Sequence, residues 1–383
     1  MQVGIDISAI VYDRGVSRYT TNLVRALLSQ PELDLSLYGC SFRQAEKLEE
    51  FVREIKREAI RHKTSIKYAI QKYPPKLQTL FWNVFGRNTI TSQLPKLELF
   101  HSWDWLQPPD KNLPLISTIH DLAILKFPET AHPEILKMHQ QSWKVLKERE
   151  AHIIAVSQTT KKDVVELLEI PSSRVHVTYE ALPVETSRVA QNIQEEEYER
   201  IKLNLKLERP YILCVGTREP RKNLFRMIQA WEPLAKEYDL LIAGESGWDH
   251  SQDLALSPDA KSHLRFLGKV SDPALVVLYS EAEVFAYPSL YEGFGLPILE
   301  AFHYGTPVLT SNLSSMPEVA GNAAELINPQ EVESILAGLQ KLLNEDKEAQ
   351  QKRLQKMIIR LHLFSWERTA QLTTQAYLRA GQS

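Results

Sequence analysis

The sequence predicts an α/β protein made of two Rossmann-like, doubly wound domains facing a central cleft. Three observations carry that prediction. Short apolar runs alternate with helix-like stretches, and strands that are apolar on both faces indicate a parallel, doubly wound sheet. The alternation occurs twice, in two series separated by a polar join at residues 184–204 that lacks apolar periodicity. At 383 residues the chain also exceeds one ordinary core, since about 150 residues per domain implies two or three domains.

The first series opens with "VGIDI" and continues through "LSLYG", "LELFH", "LPLISTIH", "HIIAVS" and "RVHVTY". Between its first two strands, "GVSRYTTNLVRALL" sets Val16, Tyr19, Leu23, Val24 and Leu27 on one helical face. Gly15 stands at the entrance of that helix, where backbone can approach a ligand closely. The second series comprises "YILCVG", "DLLIAG", "LRFLG", "EVFAYPS", "TPVLTS" and "AAELI", with helices over "NLFRMIQAWEPLAKEY" and "ALVVLYSEA". A final stretch, "SWERTAQLTTQAYLRAG", reads as a terminal helix with no strand after it. The resulting domains are 1–190, 191–365, and a helix over 366–383 that packs back toward the first domain. In open α/β sheets ligands collect beyond the carboxyl ends of the strands, so motifs at those ends weigh most.

Composition narrows the class. Hydrophobic content of 43% and charged content of 24% are those of a globular protein. A formal charge of −3 argues against a nucleic-acid binder driven by bulk electrostatics. Cys40 and Cys214 give neither a metal spacing nor a disulfide framework, which suits a reduced compartment. The start lacks the pattern of a signal peptide and no apolar run reaches about 18 residues, so a cytoplasmic location is expected. Residues 53–76 carry eight Lys/Arg (53, 56, 57, 61, 63, 67, 72 and 76) against Glu54 and Glu58, with aromatics within or after them. Such a segment either touches an anionic membrane surface peripherally or is a solvated helix face.

The most informative stretch is "YEGFGLPILEA", residues 291–301. Pro297 suits the first position of a helix that follows a Gly293-Phe294-Gly295 turn. The N–H groups of Phe294, Gly295 and Leu296 then form a helix-start anion site suited to phosphate. A carboxylate beside phosphate would repel it, so Glu292 and Glu300 should meet neutral hydroxyls, one sugar on each side. A phosphate flanked by two polyols describes a nucleotide sugar. After the strand "YILCVG", Arg218, Arg221 and Lys222 supply cations, with Asn223 as the expected helix cap. They would take the charge of a departing diphosphate, a role that in the absence of a metal falls to fixed cations and helix starts. In the first series His120 and Asp121 follow directly on a strand, so His120 should point into the cleft. No G-x-G-x-x-G after a strand, P-loop, H-E-x-x-H or G-x-S-x-G occurs, nor an Asp-x-Asp that would hold a metal on a nucleotide sugar.

Over nearly its whole length the chain resembles the family-4 (group 1) retaining glycosyltransferases of the GT-B fold. The resemblance lies in "GVSRYT", "HSWDWLQP", "TIHDL", "IIAVSQTT", "VGTREPRKN", "LLIAGESGW", "RFLGKVSD", "YPSLYEGFGLPILEAFHYGTPV" and "MPEVAGNAA". It implies that Lys222, Arg221 and the turn Gly293–Leu296 contact the donor diphosphate. Glu292 would bind the donor sugar, Glu300 the ribose and Val270 the base through its backbone. His120 would touch the transferred sugar, and Gly15 would lie beside the diphosphate. His120, Lys222 and Glu292 are thus the implied catalytic residues. The chain departs from the family in Gly216-Thr217, where Gly-Arg is common, and in Glu180, where glycine is common. Arg218 is the alternative to Arg221 as second phosphate cation.

The expected reaction is transfer from a nucleoside-diphosphate sugar, GDP-mannose first, to a saccharide or lipid-linked saccharide with retained configuration and no metal or other cofactor. A UDP-sugar glucosyltransferase, a GT-B epimerase and a non-catalytic nucleotide-sugar binder are the alternatives.

Overall fold

A computed structural model describes residues 1–12, 15–128, 132–247 and 255–382. The chain divides into one unit of Met1–Glu180 with Ser365–Ser383, and a second of Ala181–Phe364. Asp13 and Arg14, before the Gly15 entrance, and Trp248 of "ESGW" lie outside the described residues.

The first unit is an all-parallel sheet of seven strands. In chain order they are β1 (Gln2–Asp6), β2 (Asp34–Cys40), β3 (Lys67–Gln71), β4 (Leu99–Trp103), β5 (Leu115–Ile119), β6 (His152–Ala155) and β7 (Val175–Val177). They pair as β3-β2-β1-β4-β5-β6-β7, with Ile5 opposite Leu37 on one side and His101 on the other. Strands β4, β5 and β6 are buried at every residue, which is why they read as continuous apolar runs rather than alternating ones. Strand β3 lies within the basic segment and is absent from the sequence reading. It is an edge strand with exposed Lys67 and Tyr68, so it carries none of the apolar pattern that marks the central strands. The helix Gly15–Leu27 buries Tyr19, Leu23, Val24 and Leu27.

The terminal helix Trp366–Ala380 packs on the helix Gly15–Leu27 and on β5 and β6 of the same unit. The Ser365 side chain caps it by accepting from Arg368 N. Its Tyr377 hydroxyl is 2.7 Å from Nδ1 of His101, whose Nε2 is 2.8 Å from Thr118 Oγ1. Burial lowers His101 to about 3, with His120 adding to the shift, so this ring is a neutral structural link.

The division falls between Glu180 and Ala181, earlier than the expected 190/191 boundary. The reason is that the polar join is two helices, Val184–Asn192 and Glu195–Asn204, packed on the second unit's helix Asp272–Ser280. Tyr198 Oη donates to Glu281 at 2.8 Å and Lys202 pairs with the same carboxylate at 2.6 Å.

The second unit is a six-stranded parallel sheet. Its strands are β8 (Tyr211–Val215), β9 (Asp239–Ala243), β10 (Leu264–Gly268), β11 (Val284–Tyr287), β12 (Val308–Ser311) and β13 (Glu325–Ile327), ordered β10-β9-β8-β11-β12-β13. The helix expected over 223–238 ends at Trp231 and becomes a 3-10 turn, Glu232–Leu234. Pro233 lacks the N–H that an α-helix needs there. Beyond the strand ends, Gly244 has φ 150° and an added Cβ would lie 1.9 Å from Gly216 O. Only glycine lets the loops after β8 and β9 approach so closely. Both cysteines are buried, and burial raises each thiol to about 12.

Candidate functional site

Two constellations stand at strand ends, one in each unit. In the second unit, β8 runs into Gly216, at φ 140°, and then into a 3-10 turn, Pro220–Lys222. Asn223 follows in the left-handed region at φ 60° and does not cap the next helix through its side chain. Its Nδ2 instead donates to Pro288 O at 3.1 Å and Pro329 O at 2.6 Å. Leu290 N also donates to Arg221 O at 2.8 Å. These bonds tie the cationic turn to the loop after β11.

The tie brings opposite charges together. Both oxygens of Glu292 are engaged at 2.6 Å, Oε2 by Arg221 Nη1 and Oε1 by Lys222 Nζ. Lys222 Nζ also donates to Tyr287 Oη at 2.9 Å, and Arg221 Nε pairs with Glu219 Oε2 at 2.7 Å. Two cations and two carboxylates thus sum to zero in one cluster. Burial would raise the Glu292 carboxyl, yet Arg221 and Lys222 outweigh it and hold the group at about 2. Lys222 is pushed below its ordinary value by burial, which Glu292 opposes and Arg221 reinforces. The two directions agree physically: Glu292 has two cationic partners, whereas Lys222 has a cationic neighbour as well as anions.

The turn after Glu292 is held from below. Ser314 Oγ donates to Glu292 O at 2.7 Å, and Ser315 Oγ lies 2.9 Å from Glu292 O and 2.7 Å from Phe294 O. Gly295, at φ 111°, precedes the helix Leu296–His303, in which Pro297 stands second rather than first. Its missing N–H still costs nothing, because first-turn N–H groups have no acceptor within the helix. The Phe294 ring is buried edge-on against Phe364, 5.5 Å between centroids. One turn on, Glu300 is buried and accepts from Tyr279 Oη at 3.0 Å. Val270 is half-buried between β10 and the helix Asp272–Ser280. The Arg218 guanidinium lies over the Phe266 ring, 4.8 Å from its centre, while Arg221 joins the Glu292 cluster.

In the first unit His120 follows β5 directly. Its Nδ1 is 2.9 Å from Oε1 of Glu180; the carboxylate is buried and the imidazole half-buried. The ring meets the edge of Tyr19 at 4.8 Å and stacks on Trp103 at 6.1 Å and 24°. Thr160 Oγ1 donates to the His120 carbonyl at 3.1 Å, fixing the backbone. Burial opposes protonation of His120, but the Glu180 hydrogen bond and the charges of Glu180, Asp104 and Asp121 raise it above the ordinary histidine value. Gly15 is exposed at the first position of its helix, and an added Cβ would meet nothing within 4 Å.

Four partners escaped the sequence reading: Tyr287, Glu219, Tyr279 and, as a hydrogen-bond acceptor, Glu180. Each lies far in sequence from its partner or in an unremarkable context, except Glu219, which is two residues before Arg221. Among the described residues no group of three or more His, Cys, Asp or Glu is placed to hold a metal ion.

The chain matches two families. The model described as "Glycosyl transferases group 1" covers residues 195–358 and that of "Glycosyltransferase Family 4" covers residues 14–186. Over 276 residues it is 32% identical to the O-antigen chain mannosyltransferase B of Escherichia coli, covering 68% of this chain and 69% of that protein. It is also 32% identical over 244 residues to the serotype-specific mannosyltransferase WbdA of Escherichia coli, covering 62% of this chain but 30% of that protein. In fold it is similar to a glycosyltransferase from Rickettsia africae ESF-5, with a TM-score of 0.69 at 15% identity over 99% of this chain and 98% of the other. With two Rossmann-like sheets, a match to each half and a relative aligned over two thirds of both lengths, the chain belongs to the family-4, group 1 glycosyltransferases of the GT-B fold.

Proposed function

We propose that this glycosyltransferase moves mannose from GDP-mannose to a hydroxyl of a saccharide or lipid-linked saccharide during cell-surface polysaccharide synthesis. It does so without a metal ion and with retained anomeric configuration. The observation that carries the chemistry is the Arg221–Glu292–Lys222 cluster beside the helix start at Leu296. The mannosyltransferases among its relatives support the choice of sugar.

Breaking the bond between the anomeric carbon and the phosphate oxygen leaves positive charge on the sugar and negative charge on the diphosphate. Lys222, Arg221 and the N–H groups of Gly295 and Leu296 at the helix start stabilise the diphosphate as it departs. Glu292 orients sugar hydroxyls. Held at about 2, it stays ionised and cannot deliver a proton to the leaving group near neutrality. That favours attack by the acceptor hydroxyl on the face the diphosphate leaves, the acceptor's proton passing to the departing phosphate oxygen. Glu300 receives the ribose hydroxyls, Val270 meets the base, Gly15 borders the diphosphate, and His120 steadies the transferred sugar.

The test is a thermal-shift screen of GDP- and UDP-sugars with and without EDTA, followed by product NMR. GDP-mannose should raise Tm most, EDTA should change nothing, and the product should be the α-anomer, as in the donor. A larger shift with a UDP-sugar, an EDTA-dependent one or an inverted product would overturn the corresponding part.

The basic segment contributes membrane contact in this proposal. All eight of its Lys/Arg side chains are exposed, as are Tyr68, Leu77, Leu80, Val84 and Phe85, whereas Phe51 and Trp82 are core residues. Among the described residues no helix is long and apolar enough to cross a membrane.

A further inference from the structure

Glu180 is a buried carboxylate that the proposed chemistry does not use. It is 5% exposed and follows the loop after β7, where its Oε1 is 2.9 Å from His120 Nδ1. A carboxylate at this distance can only accept, so Nδ1 carries a proton. The other ring nitrogen, Nε2, is buried and has no hydrogen-bond partner among the described residues. A buried polar atom left unpaired calls for an explanation, and a ligand hydroxyl supplies one.

From this geometry we infer that Glu180 is a positioning residue for the transfer reaction: it holds His120 as an imidazolium whose Nε2–H is a hydrogen-bond donor to the sugar, and it thereby bars His120 from acting as a base. The inference rests on the reading of His120 as a sugar-contacting residue. Other groups facing the ring act in the same direction. Asp104, from the end of β4, and the neighbouring Asp121 both favour the protonated ring. Asp104 divides its effect, since its Oδ2 also pairs with His139 Nδ1 at 3.3 Å. The Tyr19 ring edge and the Trp103 face enclose the imidazole without adding charge, and His101 is neutral. Asp104 is buried as well, but among these groups Glu180 is the one in direct contact with Nδ1, so its charge acts over the shortest distance.

Histidine whose folded value is raised keeps its proton below that value and loses it above. Transfer should therefore hold below the raised His120 value and fall as pH rises through it.

The test uses the full-length protein and two independent readouts. In the first, histidine ring resonances are titrated by NMR in the parent and in Glu180→Gln, with His120→Ala identifying the signal. His120 should titrate above the ordinary histidine value in the parent and at least ~1 pH unit lower in the variant, a ~10-fold change in proton affinity. A parent His120 that titrates below that value, or a signal that Glu180→Gln leaves in place, overturns the inference whatever the activity. In the second, GDP-mannose turnover is followed against pH. The descending limb in Glu180→Gln should move with the NMR value, lowering kcat ~10-fold on that limb with KM little changed, and Glu180→Asp should restore part of it. If NMR shows the shift but the rate profile does not follow, the donor role of His120 fails while the ion pair stands. If the parent turns over no GDP- or UDP-sugar, the proposed reaction fails and the NMR arm still decides the Glu180–His120 assignment.

Discussion

Replacing Glu292 by Gln tests how far the second-unit cluster depends on one carboxylate. Glu292 is 7% exposed and its two oxygens hold Arg221 and Lys222 at 2.6 Å each. The cations bring its carboxyl from 4.5 to about 2, and at 1.36 kcal/mol per unit that is stabilisation of about 3 kcal/mol. Breaking a buried ion pair costs on the same scale, about 3–5 kcal/mol, because the partner charge stays behind. Here Lys222 and Arg221 would be left side by side, with Glu219 still on Arg221. Urea unfolding at neutral pH should therefore show the variant less stable by about 3 kcal/mol, read from the transition of the second unit. The pH dependence follows from the direction of the shift. A carboxyl whose folded value lies below its unfolded one stabilises fully above the unfolded value. It loses that contribution as pH falls through the folded value. The gap between parent and variant should thus be nearly intact at about pH 5 and more than half closed by about pH 3. A neutral-pH gap below about 1 kcal/mol would refute the reasoning. So would a gap that is as wide at about pH 3 as at about pH 7.

Lys222→Ala should lower donor turnover at least ~100-fold, the scale of losing one preorganised charge-stabilising donor, and turnover like the parent's would remove Lys222 from the diphosphate. Glu300→Ala should weaken nucleoside-diphosphate binding by calorimetry ~10-fold, about 1.4 kcal/mol, while leaving inorganic pyrophosphate binding unchanged. Equal loss for both ligands would place Glu300 elsewhere than at the ribose. Tyr377→Phe removes the 2.7 Å link to buried His101 and should destabilise the first unit by about 1–3 kcal/mol, detectable as earlier hydrogen exchange in the terminal helix. Full-length protein should float with vesicles containing anionic lipid at low salt, and reversing Arg57, Lys63 and Lys67 to Glu should abolish flotation. Protein that stays unbound in low salt would retire the membrane contact.

How much was legible in the sequence varied with burial. The central strands were readable because a strand covered on both faces draws mostly apolar residues to both, and β4, β5 and β6 are buried at every position. Edge strand β3 was not, since Lys67 and Tyr68 meet solvent and leave no pattern. The join at 184–204 looked like a linker because neither of its helices has a fully buried residue; their packing on the helix Asp272–Ser280 is a fact of neighbourhood. The helix start after Gly295 was readable from glycine and proline, whose backbone limits are local. Asn223 misled for a related reason. Its side chain satisfies carbonyls of Pro288 and Pro329, and which distant carbonyls come near is not written beside the asparagine.

By itself the sequence determined the parallel-sheet architecture, the glycine turn with its helix start, and the residue types available at the strand ends. All of these follow from periodicity and from backbone geometry within a few residues. Only the tertiary structure decided which charges meet. Sequence reasoning set Glu292 against neutral hydroxyls because phosphate would repel it, and did not pair it with the cations; the fold clamps it between Arg221 and Lys222. It likewise sets Glu180 against His120, sixty positions earlier in the chain. Electrostatic energy depends on distance through space and on exclusion of water, and the folded chain sets both quantities in ways that spacing along it does not reveal.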